Sequence, residues 1–438
     1  MQTINFFKIS RFFIFIAPLA VAIVTPSTLF PFIVGKYVWF RTAVDLALIF
    51  FLLGLAFQDK LSVVGGQLLA ALKSPLAVTV SIFVFIFILA GFFGVDPANS
   101  FWSNFERGEG GLQIIHLWLF FLLMTVLFRE EKDWKKLFWF SIIGAVLMIF
   151  YGIAAGLGMP GYIGGAFGSE GFRFSGSIGN PAYVATYLIF AMFYAGYLLM
   201  ARDGKKIISG GSLGIIGLII FFFIFFWLAA TRGGFMGLVL GVVLGGCYFA
   251  YSHKTWRKRP FAAVAVFAAM VVAMIYFKDT ALVKSLPGSR IFDISFSATT
   301  WEHRTYMWKI AWDGFKERPL LGWGPENYIN IFDQHFNIKY FKPTEGFGAW
   351  FDRAHSVYFD YLAETGILGL ISYLAIFAAF YWQLFRNNKI SPISGALLVA
   401  IPIAYLVQGL VLFEVLPLYL NLFLFLSFAN YKLKNHEQ

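Results

Sequence analysis

His355, Arg173, Arg232 and Arg304 are the residues whose types and settings could do chemistry in this chain. His355 belongs to the segment Phe351-Asp352-Arg353-Ala354-His355-Ser356-Val357-Tyr358-Phe359-Asp360, which continues through Glu364 to Gly366 and into a long apolar stretch. That order sets the imidazole just above a membrane helix. Imidazole titrates near neutrality, so it can take a proton from an attacking hydroxyl in a way that Lys or Arg cannot. An ordinary interfacial histidine is the alternative.

The arginines sit where a charge is costly. Thr231-Arg232-Gly233-Gly234 is a tight turn between two long apolar stretches, which holds the guanidinium at the bilayer edge and calls for an anion or a carboxylate beside it. Arginine binds phosphate with two parallel hydrogen bonds, so an anion site is one reading; a structural partner such as Glu170 or Glu414 is the other. Arg173, in Gly171-Phe172-Arg173-Phe174-Ser175-Gly176-Ser177, has glycines on both sides, and Asn180-Pro181 marks the start of the next helix. It is a second candidate anion ligand. Arg304 falls beside Trp308 and Phe315 on a stripe of Trp301, Thr305, Trp308, Trp312 and Phe315 at helical spacing, which suits the outer membrane interface. Glu302, His303 and Asp313 fall away from that stripe, and Pro319 ends the helix. An arginine on the apolar side points to a lipid headgroup or a substrate, or it snorkels.

Other chemistries find less support. Cys247 is the lone cysteine, and His116, His303 and His335 lack ligand spacing, so no metal site is expected. Gly322-Trp323-Gly324 opens no strand-to-helix unit and is no nucleotide fingerprint. The net charge of +11 is spread in short clusters between apolar segments, a topology signal for anionic lipid rather than a nucleic-acid stripe.

The elements that must position these residues are membrane helices. Of 438 residues, 59% are hydrophobic and 13% charged, about half the charge of a soluble domain. Apolar runs of spanning length predict an all-α polytopic fold with about twelve helices, near 12–30, 42–57, 76–94, 112–128, 136–157, 181–200, 212–230, 233–251, 260–277, 366–385, 393–413 and 415–431. The first reads as a retained signal-anchor. Lys60/Lys73, Arg129/Lys132/Lys135/Lys136, Arg202/Lys205/Lys206, Lys254/Arg257/Lys258/Arg259, Arg386/Lys389 and Lys432/Lys434 all fall on the side of the N-terminus. By the positive-inside rule both termini are cytoplasmic, in a multi-pass protein of the inner membrane. The opposite short loops carry only Lys36, Arg41, Arg107, Arg173 and Arg232.

Three parts follow: helices one to nine over 1–277, a large extracytoplasmic loop domain over 278–365 between the ninth and tenth helices, and the last three helices with a cytoplasmic tail over 366–438. A transporter or flippase of lipid-linked glycans also uses about twelve helices. It would want ionisable residues at mid-membrane and often shows internal repeats, neither of which is evident. A non-catalytic scaffold would leave the outward arginines unexplained.

Together these segments resemble the superfamily of O-antigen ligases and O-antigen polymerases, which includes bacterial protein O-oligosaccharyltransferases. The resemblance rests on Arg173-Phe174-Ser175-Gly176 followed by Gly179-Asn180-Pro181, on Thr231-Arg232-Gly233, on Arg304 through Arg318-Pro319-Leu320-Leu321-Gly322-Trp323-Gly324, and on His355 through Glu364-Thr365-Gly366 with Gly369. It implies a GT-C-like membrane glycosyltransferase, independent of metal and cofactor, that moves a glycan from undecaprenyl diphosphate to an acceptor on the outer face. The positions it implies are Arg232 and Arg304 at the diphosphate and His355 as base, with Arg173 as a further ligand. Ser356 stands where many relatives carry asparagine. The implied partners are the lipid-linked glycan, a glycan, lipid or protein acceptor, and the bilayer, with no nucleic acid.

Overall fold

A computed structural model describes residues 5–58, 61–104, 106–202, 210–253, 258–286, 288–293, 299–341 and 350–434. In chain order its helices are α1 (Phe6–Ile16), α2 (Val34–Phe57), α3 (Leu61–Leu72), α4 (Pro75–Phe92), α5 (Pro97–Trp102), α6 (Gly111–Leu127), α7 (Glu131–Gly156), α8 (Pro181–Met200) and α9 (Gly210–Leu228). There follow α10 (Arg232–Ser252), α11 (Lys258–Tyr276), α12 (Ala281–Lys284), α13 (Thr299–Glu317), α14 (Tyr328–His335), α15 (Val357–Glu364), α16 (Gly366–Arg386), α17 (Pro392–Gly409) and α18 (Leu416–Lys434). Among the described residues there is no strand, and nine helices (α2, α4, α7 to α11, α16 and α17) are long and apolar enough to cross a membrane. The protein is an all-α polytopic membrane protein.

The other three expected spans depart from that pattern for different reasons. The helix expected at 12–30 instead begins at Phe6, ends at Ile16 and passes into a 3-10 turn over Ala17–Ala22, where Pro18 supplies no N–H to continue an α-helical ladder. α6 has 17 residues. α18 carries Asn421, Ser427 and Asn430, yet every residue from Leu416 to Asn430 is buried. A helix enclosed by protein need not match lipid: Tyr194 donates to Asn421 Oδ1 at 2.8 Å, and Ser427 meets Thr125 at 3.0 Å. α8 and α18 thus form the middle of the bundle, whereas α11 buries only Val271 and is peripheral.

α2 starts eight residues before the expected 42, so Lys36 and Arg41 belong to its first turns rather than to a loop. Both are anchored by hydrogen bonds that make a helical position affordable. Arg41 donates to Gln113 Oε1 at 2.8 Å and to the Gly108 carbonyl at 2.5 Å.

α10 packs along α17 through small residues. A Cβ on Gly237, Gly241 or Gly245 would come within 2.5, 2.6 and 2.7 Å of the carbonyl oxygens of Ala404, Ala400 and Ala396. This close approach, which only glycine allows, fixes the helix whose first residue is Arg232.

One end of the bundle gathers ion pairs of the expected cytoplasmic loops: Arg11 with Asp133 at 3.5 Å, and Lys432 with Glu131 at 3.5 Å. Lys60, Lys205, Lys206, Lys254 and Arg257 lie outside the described residues. The other end carries His355 and the region from 278 to 365, which packs in two parts. Val283, Ile291 and Phe292 join Ala230, Phe235, Val239 and Val271 in one apolar cluster on α10 and α11. Tyr306, Ile310, Ala311, Trp323, Tyr328, Ile331 and Phe332 form another. The face α13 buries is therefore Tyr306, Met307, Ile310 and Ala311; of the tryptophan stripe, Trp312 is exposed and Trp308 stacks on Phe359 at 5.2 Å.

The glycine-rich motif after α13 docks this region. Trp323 N–H donates to Ala363 O (3.0 Å), Gly324 N–H to Glu364 O (2.8 Å), and Ile367 N–H to Pro319 O (2.8 Å). Gly322 and Gly366 both have positive φ, +69° and +66°, and a Cβ on either would strike the other segment's backbone. Arg318 through Gly324 is thus a clamp on α15 and α16, which carry the chain away from His355.

Candidate active site

His355 is held by its neighbours on both sides. Ala354 N–H donates to Asp360 Oδ1 at 2.7 Å, and Val357 N–H to the Leu412 carbonyl at 2.9 Å. Between these anchors His355 takes φ of +57°, a left-handed conformation that costs a non-glycine residue on the order of 1 kcal/mol or more. Its Nδ1 lies 3.2 Å from the Arg353 carbonyl. A carbonyl only accepts, so Nδ1 carries the proton and Nε2 keeps its lone pair, the arrangement a general base needs. Burial holds the imidazole below its usual value, and the Arg304 and Arg107 charges act the same way against the Arg353 carbonyl and Asp352. The ring is neutral near pH 7.

His355 lines a cavity of about 370 Å³ with Lys36, Tyr37, Arg107, Glu109, Asn180, Tyr183 and the apolar residues Phe32, Leu412 and Phe413. That volume falls in the roughly 300–1,000 Å³ range of small-ligand sites. The Arg107 guanidinium meets Asp352 through two hydrogen bonds, of 2.6 and 2.9 Å, and lies over the Phe413 ring at 4.9 Å. Behind Glu109 a void of about 30 Å³ is bounded by Glu326, Arg353, Asp360, Glu364 and Glu414. Arg353 bonds Glu326 and, at 3.4 Å, Glu364, a buried network that ties α15 to the start of α14. Burial first, then neighbouring carboxylates, raise Glu109 and Glu364 well above the usual range and push Glu414 up to about 8.

Outside that cavity's lining a group of arginines gathers. Arg173 Nε donates to the Ala229 carbonyl and Nη2 to Thr231 Oγ1, both at 3.1 Å, so its fork grips the turn that presents Arg232. Phe174 anchors the same loop, buried, with its N–H on the Leu228 carbonyl at 3.0 Å. Arg232 pairs with Asp293 at 2.8 Å, not with Glu170 or Glu414; Glu414 is spent on the Tyr405 hydroxyl. Lys278 shares Asp293 at 2.6 Å. Burial, then the charges of Arg290 and Arg232, push Arg173 down to about 10. Burial and the charge of Arg232 also lower Arg304, which makes no hydrogen bond or ion pair among the described residues. Arg173, Arg232, Arg290 and Arg304 are therefore one electrostatic group with Asp293 as the sole carboxylate paired into it among the described residues.

The structure brings all four sequence-expected residues to one end of the bundle, where His355 lines the cavity and feels the charge of Arg304. Residues 217–374 match the family model described as O-antigen ligase. Over that stretch the chain is similar to the O-antigen ligase family. The match supports membership of the O-antigen ligase superfamily, whose members are ligase- and polymerase-type membrane glycosyltransferases. No curated protein matches the chain. The matched stretch contains Arg232, Arg304 and His355, while Arg173 and the cavity wall formed by Lys36, Arg107, Glu109 and Asn180 precede it.

Sequence reasoning passed over those cavity residues. Lys36 and Arg107 entered only as topology counts, although a charge within a few residues of an outer helix start was a usable signal. Glu109, just before the apolar run of α6, gave the same one. Asp293 gave none: nothing local marks it as the partner of a residue 61 positions away.

Proposed function

We propose that this protein transfers a glycan from undecaprenyl diphosphate to an acceptor hydroxyl on the outer face of the inner membrane, with both termini in the cytoplasm. The observation that carries this reading is an arginine group with one carboxylate among the described residues, beside a neutral histidine that lines a cavity. A diphosphate leaving group develops charge as the anomeric bond breaks, and preorganised guanidinium groups stabilise it. Arg173, Arg232 and Arg304 hold the diphosphate. The acceptor oxygen attacks the anomeric carbon from the cavity side, its proton passes to His355 Nε2, and the electron pair of the breaking C–O bond leaves with the diphosphate. One displacement inverts the anomeric configuration.

Ligation to a lipid-borne core, extension of a repeat-unit polymer and protein O-glycosylation all use this chemistry and differ in the acceptor. The test is release of undecaprenyl diphosphate from a labelled lipid-linked oligosaccharide by purified protein in liposomes, with each acceptor class in turn. Release that requires an acceptor supports the transferase, and the labelled product names the acceptor. Passage of label across the bilayer without release would make the protein a transporter instead.

A further inference from the structure

Lys36 is 2% exposed, lies in the first turn of α2 and lines the same cavity as His355. Its ammonium donates to the carbonyls of Ile23 at 2.6 Å and Ser177 at 2.7 Å. An ammonium has three N–H bonds. When protonated, Lys36 carries a third N–H for which the described residues offer no acceptor and no carboxylate, so an anion in the cavity would favour the ammonium form. A buried charge without a counter-ion is costly, and the neighbouring Arg107 avoids that state through Asp352.

The cavity's own carboxyl does not serve. Glu109 Oε1 accepts the Leu416 N–H at 3.1 Å, and burial favours its neutral acid. Two further donors share the wall. The Tyr183 hydroxyl is buried and without a partner, on a side chain 5% exposed. Asn180 spends Oδ1 on the Ala182 N–H at 2.9 Å, which leaves Nδ2 free to donate. An amino group, a hydroxyl and an amide N–H from the lining of one cavity, beside the apolar Phe32 and Leu412, are the donor set of an oxyanion site.

We propose that this cavity holds a second anion subsite, separate from the Arg173, Arg232 and Arg304 group, in which Lys36, Tyr183 and Asn180 bind a phosphate or carboxylate carried by the substrate. The inference rests on reading the cavity as the acceptor's side of a glycan transfer. It narrows the acceptor to one that bears an acidic group near the attacking hydroxyl. The same chemistry would also suit part of the donor's diphosphate, so the experiment has an arm for each source.

Lipid diphosphate release is measured in phosphatidylcholine liposomes with two oligosaccharide acceptors that differ by one phosphate monoester, for wild type, Lys36→Met, Lys36→Arg and Tyr183→Phe. In parallel, thermal unfolding of the full chain in detergent is followed with and without inorganic phosphate. Wild type should prefer the phosphorylated acceptor by about tenfold in kcat/KM, Lys36→Met should lose that preference, Lys36→Arg should restore part of it, and Tyr183→Phe should reduce it. Phosphate should raise the wild-type unfolding temperature more than that of Lys36→Met, in which only the arginine group remains to bind it. A rise in donor KM in Lys36→Met, with no acceptor preference in wild type, assigns the anion to the donor and keeps the subsite. Equal rates on both acceptors, an unchanged donor KM and equal stabilisation of wild type and Lys36→Met by phosphate overturn it. Should Lys36→Met not fold, Tyr183→Phe, which deletes one hydroxyl, decides on the same readouts. Phosphate stabilisation that depends on Lys36, without turnover, would keep the subsite and remove the transferase reading; turnover without discrimination or Lys36-dependent stabilisation would do the reverse.

Discussion

Arg353 and Arg304 both act on His355, the first through its carbonyl and the second through its charge, and have opposite surroundings. Arg353, 5% exposed, is bonded to Glu326 and Glu364 and to the Asp352 carbonyl; burial alone would lower it, but those carboxylates together raise it well above its usual value. Arg304 has no partner among the described residues, and its nearest charge is another arginine, so burial and repulsion both lower it. The first is a completed structural joint. The second has no anion beside it among the described residues, which leaves its donors open to a ligand. The two arginines differ in whether the protein supplies the anion, and that separates residues that hold the fold from residues that wait for a ligand.

Mutations can break this contrast or sharpen it. The largest effect falls on the residue that both arginines act on: His355→Ala should lower turnover by about 10²–10⁴ with expression intact, measured by lipid diphosphate release. Full activity in that variant would remove it as the base. The two arginines should then separate in kind. Arg353→Met leaves Glu326 and Glu364 buried without a counter-charge and should destabilise the protein by about 3–5 kcal/mol, read as a lower unfolding temperature in detergent. Arg304→Met orphans nothing, so it should keep the unfolding temperature and lose about 10²-fold in turnover. If both variants lost stability alike, the division between joint and site would fail. Arg232→Lys, which keeps charge but loses the fork, should be impaired by about tenfold or more, and unchanged kinetics would make Arg232 a topological residue only.

The same contrast explains what could be read in the sequence. Helix positions were legible because spanning length and apolar composition are local properties, and α4, α7, α8, α9, α10, α11, α16 and α17 all fall close to expectation. α1 was misjudged because apolar composition continues past Ala17 whereas the helix does not. The outer arginines were legible as residues too, since a charge in an apolar setting shows in one dimension. Their partners were not. Asp293 on Arg232, Asp352 on Arg107 and Glu326 on Arg353 are ordinary loop acids until the fold brings them within bonding distance. Likewise Arg318 through Gly324 matched a family pattern without revealing that its work is backbone docking on α15 and α16.

Asp293 tests the contrast from the protein's side. It is nearly half exposed, and it holds Arg232 and Lys278 together. A carboxylate there stands where a phosphate would sit, so a donor diphosphate must compete with it for Arg232. Asp293→Ala should lower the donor KM a few-fold, on the order of a single exposed ion pair, with little change in kcat. A raised KM would mean that Asp293 orients Arg232 for the donor rather than opposing it.

The smallest expected effect is a shift in pH dependence. His355 must be neutral to accept a proton, and its imidazole titrates below the usual 6.5 because burial, Arg304 and Arg107 disfavour the cation. Activity should therefore hold through pH 6.5 and fall only as the pH drops through that lowered value. Arg304→Gln removes one of the opposing charges while Asp352 and the Arg353 carbonyl, which favour the cation, remain. The imidazole then titrates at higher pH, so the acid limb of kcat/KM should move up toward 6.5 even though its plateau is reduced. kcat/KM is the quantity to follow, because it reports the free enzyme, before a bound diphosphate screens the arginine. An acid limb that stays in place would separate Arg304 from His355 electrostatically and leave burial alone to keep the base neutral.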